Sequence, residues 1–163
     1  MDEPISDDPE VTAAYRALSS TLERLLATID GLDATQLNWR PPVAGGNSLT
    51  VLIVHTLANV EENMLEILGG ESVGRHREEE FLAHDLSAEA LRARHAEIMA
   101  KVRTRLATLP PGELDRERTH PRRGTVTGRW LLWIAVRHAA EHQGHAELTR
   151  DWIKSLSGEP TPH

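Results

Sequence analysis

The sequence predicts an all-α fold, a four-helix bundle with a long crossover connection, and three observations predict it. Four long segments carry apolar residues at alternating steps of three and four, no segment alternates with the period of a half-buried strand, and proline or glycine pairs separate the four. Helices are expected near residues 9–30, 48–68, 87–109 and 127–156, inside a single domain of residues 1–163 with frayed tails at 1–8 and 157–163.

The first helix follows from Val11, Tyr15, Leu18, Leu22, Leu25 and Ile29, which form one apolar stripe ending at Gly31, a residue suited to a left-handed stop. Residues 36–46 read as loop because Pro41 and Pro42 exclude a continuing helix. Asn47 or Ser48 then caps the second helix.

In that helix the main stripe is Leu49, Ile53, Leu57, Val60, Met64 and Ile67, while Val51, Leu52 and Val54 make the early turns apolar nearly all round. Such turns are buried on more than one side. His55 lies within them, opposite the main stripe and in line with Asn59, Glu62 and Glu66. Periodicity leaves open whether that line faces water or a polar pocket.

Gly69 and Gly70 end the helix, and the charged stretch to Ser87 reads as a crossover loop anchored by Phe81 and Leu82. Ser87 caps the third helix, whose stripe is Leu91, His95, Ile98, Val102, Leu106 and Leu109. Pro110, Pro111 and Gly112 stop it, and an arginine-rich loop leads to Gly128.

The fourth helix carries the chemistry. At about 100° per residue, Leu131, Ile134, Ala135, His138, His142, His145, Thr149, Trp152, Ile153 and Leu156 share one stripe. Burial disfavours the imidazolium, so histidines on an apolar stripe are held neutral, the form that binds a transition metal. Without a shared partner, each buried imidazole would leave polar groups unsatisfied at a cost of ~1–3 kcal/mol. His138 and His142, four residues apart, can reach one ion. On spacing alone His55 and His95 are both candidates for a third ligand, and His145 could replace His138. Gly144 costs the helix ~1 kcal/mol relative to alanine, which suggests a close approach to its backbone.

Composition narrows the function. The absence of cysteine removes disulfides, thiolate ligands and a cysteine nucleophile, so any thiol chemistry needs a thiol from outside. The acidic start MDEPISDDPE is unlike a signal peptide, and no apolar run approaches the ~20 residues of a membrane span. The expectation is a cytoplasmic protein with no membrane partner. A formal net charge of −7 argues against nucleic-acid binding. Arg75 and Arg77, with Arg116, Arg118, Arg122 and Arg123, read as solvated surface, with anion steering as the alternative.

The stretches LNWRPPVAGGNSLTVLIVHTLANVEENML, GRHREEEF and RHAAEHQGHAELTRD resemble the DinB-like superfamily of metal-binding four-helix bundles, which includes mycothiol-dependent maleylpyruvate isomerase and bacillithiol-dependent transferases. The resemblance implies that His55, His138 and His142 are metal ligands and that the ion is zinc or nickel. Where many members carry glutamine after the glycine, this chain has His145, open to a role as an extra ligand, a donor behind the ligands or a substrate contact.

Three protein ligands leave coordination positions open, as catalytic sites do. The resemblance therefore implies an enzyme acting on a small electrophile, an S-transferase or isomerase using a low-molecular-weight thiol such as mycothiol or bacillithiol. A metal-dependent hydrolase and a non-catalytic metal-binding or dimerisation module are the alternatives. Glu62, Glu141 and His145 are the candidate acid–base residues, and Arg75 and Arg77 the candidates for holding the co-substrate. A homodimer is expected from the resemblance and from four tryptophans in a chain poor in aromatics.

Overall fold

A computed structural model describes residues 3–157 of the chain. Its elements are α1 (Pro9–Ala27), α2 (Ala34–Asn38), α3 (Leu49–Val60, continuing as a π-helix over Glu61–Ile67), α4 (Arg77–Glu80), α5 (Ala88–Ala107), β1 (Glu117–His120), β2 (Gly124–Thr127) and α6 (Gly128–Leu156). The fold is thus all-α, with only a two-stranded hairpin added.

Each long helix starts at a side-chain cap that satisfies amide groups the helix itself cannot. Asp8 accepts from the N–H groups of Glu10 (2.8 Å) and Val11 (3.4 Å), Ser48 from Val51 (3.3 Å), Ser87 from Ala90 (3.1 Å) and Thr127 from Trp130 (3.2 Å). α1 and α3 each pack most extensively on α6, and α5 packs most extensively on the π-helical segment. Leu18, Leu22, Ile53, Leu57, Leu131 and Ala135 are among the residues buried at the centre. Among the described residues no helix is long and apolar enough to cross a membrane.

Several expectations need correction. The first helix closes three residues early, at Ala27, and Gly31 takes its left-handed φ of 75° in the following turn. Of the expected frayed tails, residues 1–2 and 158–163 lie outside the described part. Within it, Ser6 is tied to α1, its N–H donating to Thr12 Oγ1 at 3.3 Å. The loop after α1 contains α2, opened by a reciprocal cap between Asp33 and Gln36. That D-x-x-Q pattern is a readable start signal, but five residues are too few to show a period. Similarly, the charged crossover contains α4.

The arginine-rich loop folds as the β1–β2 hairpin, with Arg118 opposite Val126 and His120 opposite Gly124. Its strands, ERTH and GTVT, are mostly solvated and so lack apolar alternation. The readable signal was in the turn: Pro121 follows His120, and Gly124 closes the loop with φ of 72°, the residues that a three-residue hairpin loop uses. The hairpin is clamped to the start of α6, where the Gly128 N–H donates to Arg116 O (3.1 Å) and the Arg129 N–H to Leu114 O (2.7 Å). A β-carbon on Gly128 would stand 2.3 Å from Glu113 O, so only glycine allows this approach.

The π-helical segment changes which side chains of the second long helix turn inward. Its wider turn, marked by the Leu68 N–H donating five residues back to Asn63 O (3.1 Å), places two consecutive polar residues, Glu62 and Asn63, in the interior.

Candidate metal centre

His55 projects from the most buried turns of α3, and His138 and His142 from the middle of α6. Helical rise and spacing stack the α6 pair on one face, and the packing of α3 on α6 brings the third ring to them. His138 Nε2 stands 3.2 Å from His55 Nε2 and 3.2 Å from His142 Nε2, and one ring nitrogen from each lies within 4.8 Å of the others. Of the line of polar residues on α3, His55 and Asn59 face a polar pocket, Glu62 is buried, and Glu66 is half-buried outside that pocket.

This donor set fits a metal ion. Bonds of ~2.0–2.1 Å at a tetrahedral angle set neighbouring ligand nitrogens about 3.3 Å apart, close to the two 3.2 Å separations. A proton does less. His55 Nδ1–H donates to Glu80 Oε2 (2.6 Å), so the neutral ring offers a lone pair at Nε2. His138 Nε2 can then be donor or acceptor but not both, and one proton satisfies only one of its two contacts.

Burial, and then the neighbouring imidazoles of His142 and His55, hold His138 down to about 3. Burial, followed by His55 and His145, holds His142 down to about 4. Both rings are therefore neutral near pH 7, the state that can coordinate.

Behind His55 runs a chain of opposite charges. Glu80 accepts from Arg75 Nε (2.5 Å) and Nη2 (2.8 Å), and Arg75 Nη1 reaches Glu62 Oε2 (2.7 Å), which Arg122 also contacts. Burial pushes the Glu80 carboxyl up, but hydrogen bonds from Arg75 and His55 outweigh it and bring it to about 2. For Glu62 burial is likewise outweighed, by Arg122 and Arg75, and its carboxyl is held below the usual range. Glu80 thus stays an acceptor that fixes the tautomer and orientation of His55. Sequence pattern marks neither Glu80 nor His120, which lies on the nearby hairpin, as a site residue. Glu80 has a weak signal, an acidic cluster beside the GRH segment; no local pattern identifies its partner.

The other candidates divide between buried pairs and open surface. Arg75 is no free cation: its side chain is 4% exposed and committed to two carboxylates. Arg77 is more open and stacks over Phe81 at 4.9 Å. Glu62, doubly paired and ionised, is poorly suited to donating a proton. Glu141 is exposed, with Arg137 at 3.4 Å. His145 is exposed rather than inward, its ring centroid 5.5 Å from that of His142. His95 does not join the cluster; it sits on α5 near Glu23 and Arg92. The stripe on α6 also turns outward towards its end, where Trp152 and Leu156 are exposed. Gly144 has nothing within 4 Å of where a β-carbon would lie, so no close approach explains it. Arg118 and Arg122 are not plain solvated surface: one is largely buried against Glu113 and the other reaches buried Glu62.

Two cavities flank the histidines. One, of about 350 Å³, is lined by His55 and His138 together with Asn63, His120, Arg123 and Trp130. The second, also about 350 Å³, adjoins His142 and His145 and is walled by Val43, Leu52, Leu148 and Trp152.

No protein of curated function matches the sequence. Among solved structures, a conserved protein from Enterococcus faecalis aligns with a TM-score of 0.73 at 18% identity, covering 88% of this chain and 96% of that one. At that identity the likeness concerns the fold alone. The DinB superfamily profile matches residues 17–146, a span that includes most of α1 and all three converging histidines, and the chain belongs to that superfamily.

Proposed function

We propose that His55, His138 and His142 hold a zinc or nickel ion and that the protein is a metal-dependent enzyme, an S-transferase or isomerase that uses a low-molecular-weight thiol against a small electrophile. The observation that carries this reading is the convergence of three Nε2 atoms, one of them oriented by a buried carboxylate. A bound ion of this kind supplies Lewis acidity, lowering the pKa of a coordinated thiol or water.

The chain's own residues do the rest. Glu80 holds the His55 ring with Nδ1 protonated, and Arg75 keeps Glu80 ionised. His120 Nδ1 accepts from the Arg122 N–H (3.0 Å), which leaves Nε2–H as a donor on the cavity wall. The cavity beside His142 adds apolar surface from Val43, Leu52, Leu148 and Trp152, against which the apolar part of a small electrophile can pack. Because the chain has no cysteine, the thiol comes from solution, as mycothiol or bacillithiol would.

The test is metal analysis of protein purified without an affinity tag, followed by a screen of thiols against electrophiles. About one zinc or nickel per chain, with turnover that needs the thiol and disappears in His142→Ala, is the expected result. Turnover with water alone would reassign the protein as a hydrolase, and a loaded site with no turnover would make it a binding module. The assembly proposed is a homodimer, supported by the exposure of Leu148, Trp152 and Leu156 along the end of α6; sedimentation as a monomer at tens of micromolar, a concentration for a weak interface, would rule it out.

A further inference from the structure

We propose that the cavity above His55 and His138 recognises a small oxyanion, a carboxylate or phosphate, on a molecule that also carries a hydroxyl or amide N–H, with Arg123 as the residue that selects for the charge. This rests on reading the histidine cluster as the centre of a ligand-binding site and names the class of ligand it takes.

The first support is charge in the wrong place for chance surface. The chain carries a formal net charge of −7, yet this cavity is walled by Arg75, Arg77, Arg122, Arg123 and Arg137 against a single carboxylate, Glu141. A low-dielectric concave wall of one sign focuses its field on whatever enters. The guanidiniums are not equivalent. Arg75 and Arg122 are committed to buried Glu62 and Glu80, and Arg137 and Arg77 have exposed carboxylates at 3.4 Å and 3.9 Å. Arg123 has no ion-pair partner among the described residues. It is held at the hairpin tip, where its own N–H donates to His120 O at 3.2 Å, so its position is set by the turn while its guanidinium is uncommitted.

The second support is an acceptor without a donor. Asn63, 1% exposed, lines the same cavity; its Nδ2 donates to Asn59 O (2.8 Å), which fixes the amide and leaves Oδ1 with no partner. Asn59 Oδ1 is also buried and unpartnered. A buried acceptor left unpaired is costly, and a bare anion cannot relieve it. A ligand with a hydroxyl or N–H can. His120, which lines the same cavity, offers the anion a further donor at Nε2–H. The volume, about 350 Å³, suits a small metabolite-sized molecule rather than a polymer.

The experiment titrates malate, succinate and inorganic phosphate into metal-free and zinc-loaded protein, by calorimetry and by NMR of the histidine and arginine side chains. Malate is expected to bind in both forms and to shift the His120 resonances. Succinate, which lacks the hydroxyl, should bind about fivefold to tenfold more weakly, the worth of one hydrogen bond. Arg123→Ala should weaken malate about tenfold or more and Arg123→Lys less, because the lost contact is charge-assisted. Phosphate competing with malate, and losing affinity in Arg123→Ala, would identify the shared subsite as the oxyanion site; phosphate binding unaffected by that change would overturn the assignment of Arg123. Equal affinities for malate and succinate would overturn the donor requirement. No binding of any probe at millimolar concentration, with the metal in place, would overturn the whole proposal while leaving the metal reading intact. Malate binding retained in His142→Ala, with metal lost, would separate the two in the other direction.

Discussion

The histidine on α3 and the pair on α6 meet in one cluster but are held there by different means. His138 and His142 rely on their own helix: a spacing of four aligns them, and their Nδ1 atoms are buried with no hydrogen-bond partner. His55 stands alone on its helix and is braced from outside, by Glu80, Arg75, Glu62 and Arg122 in turn. A regular helix positions a pair to within a rotamer at no further cost, whereas a single ligand needs a hydrogen-bonded support to settle its ring and tautomer. The support joins α4, the loop before it, the π-helical continuation of α3 and the hairpin turn, so charge pairing ties separate segments to one ring. A buried ion pair of this sort is costly to break, because removing one partner strands the other's charge.

The strongest way to break this comparison is to remove one of the α6 histidines. His142→Ala should abolish stoichiometric metal binding, because two ligands rarely retain a labile ion on dilution, while His145→Ala, altering an exposed ring beyond the cluster, should keep most of it. Equal loss from both would move the site towards the end of α6. Next in size is the brace. Glu80→Gln keeps an acceptor for His55 but weakens it, and metal affinity by competition with a chelator should fall about 10- to 100-fold. Unchanged affinity would show that α3 needs no more support than α6.

Acidification should distinguish the two sides more gently. In the unfolded chain histidine titrates near 6.5, whereas folded His138 and His142 stay neutral to about 3 and about 4. The unfolded state therefore binds more protons in that window, and the metal-free protein should lose stability as pH falls from about 6.5 towards 4. Glu80, held at about 2, adds a further loss below about 4.5 as its bonds to Arg75 and His55 are protonated away. Denaturant melts at successive pH values should show the first decline shrinking in His138→Gln and the second in Glu80→Gln. The smallest expected effect is favourable. Gly144→Ala fills open space on an α-helix and should raise stability by ~1 kcal/mol, with metal affinity unchanged.

Much of this was legible from local pattern. The four long helices, the cap at Ser87, a second-helix start at Asn47 or Ser48, and the four-residue step from His138 to His142 are set by residues a turn apart, and short-range geometry reads them directly; the structure puts the second cap at Ser48. The choice between His55 and His95 was not settled by spacing, since each lies on a helix remote in sequence from α6. Packing of α3 against α6 brings His55 in and leaves His95 outside the cluster. Nor could pattern show the π-turn that buries Glu62 and Asn63 together, or the hairpin that carries His120, Arg122 and Arg123 to the cavity.

By itself the sequence determined an all-α chain with a histidine pair on its last long helix, because helical periodicity and i,i+4 geometry are properties of contiguous residues. Only the tertiary structure decided that Glu80 braces His55 across 25 residues and that Arg122 reaches Glu62 across 60. Charge pairing at such separations depends on where whole elements dock, and a solvated arginine and a buried one look the same along the chain.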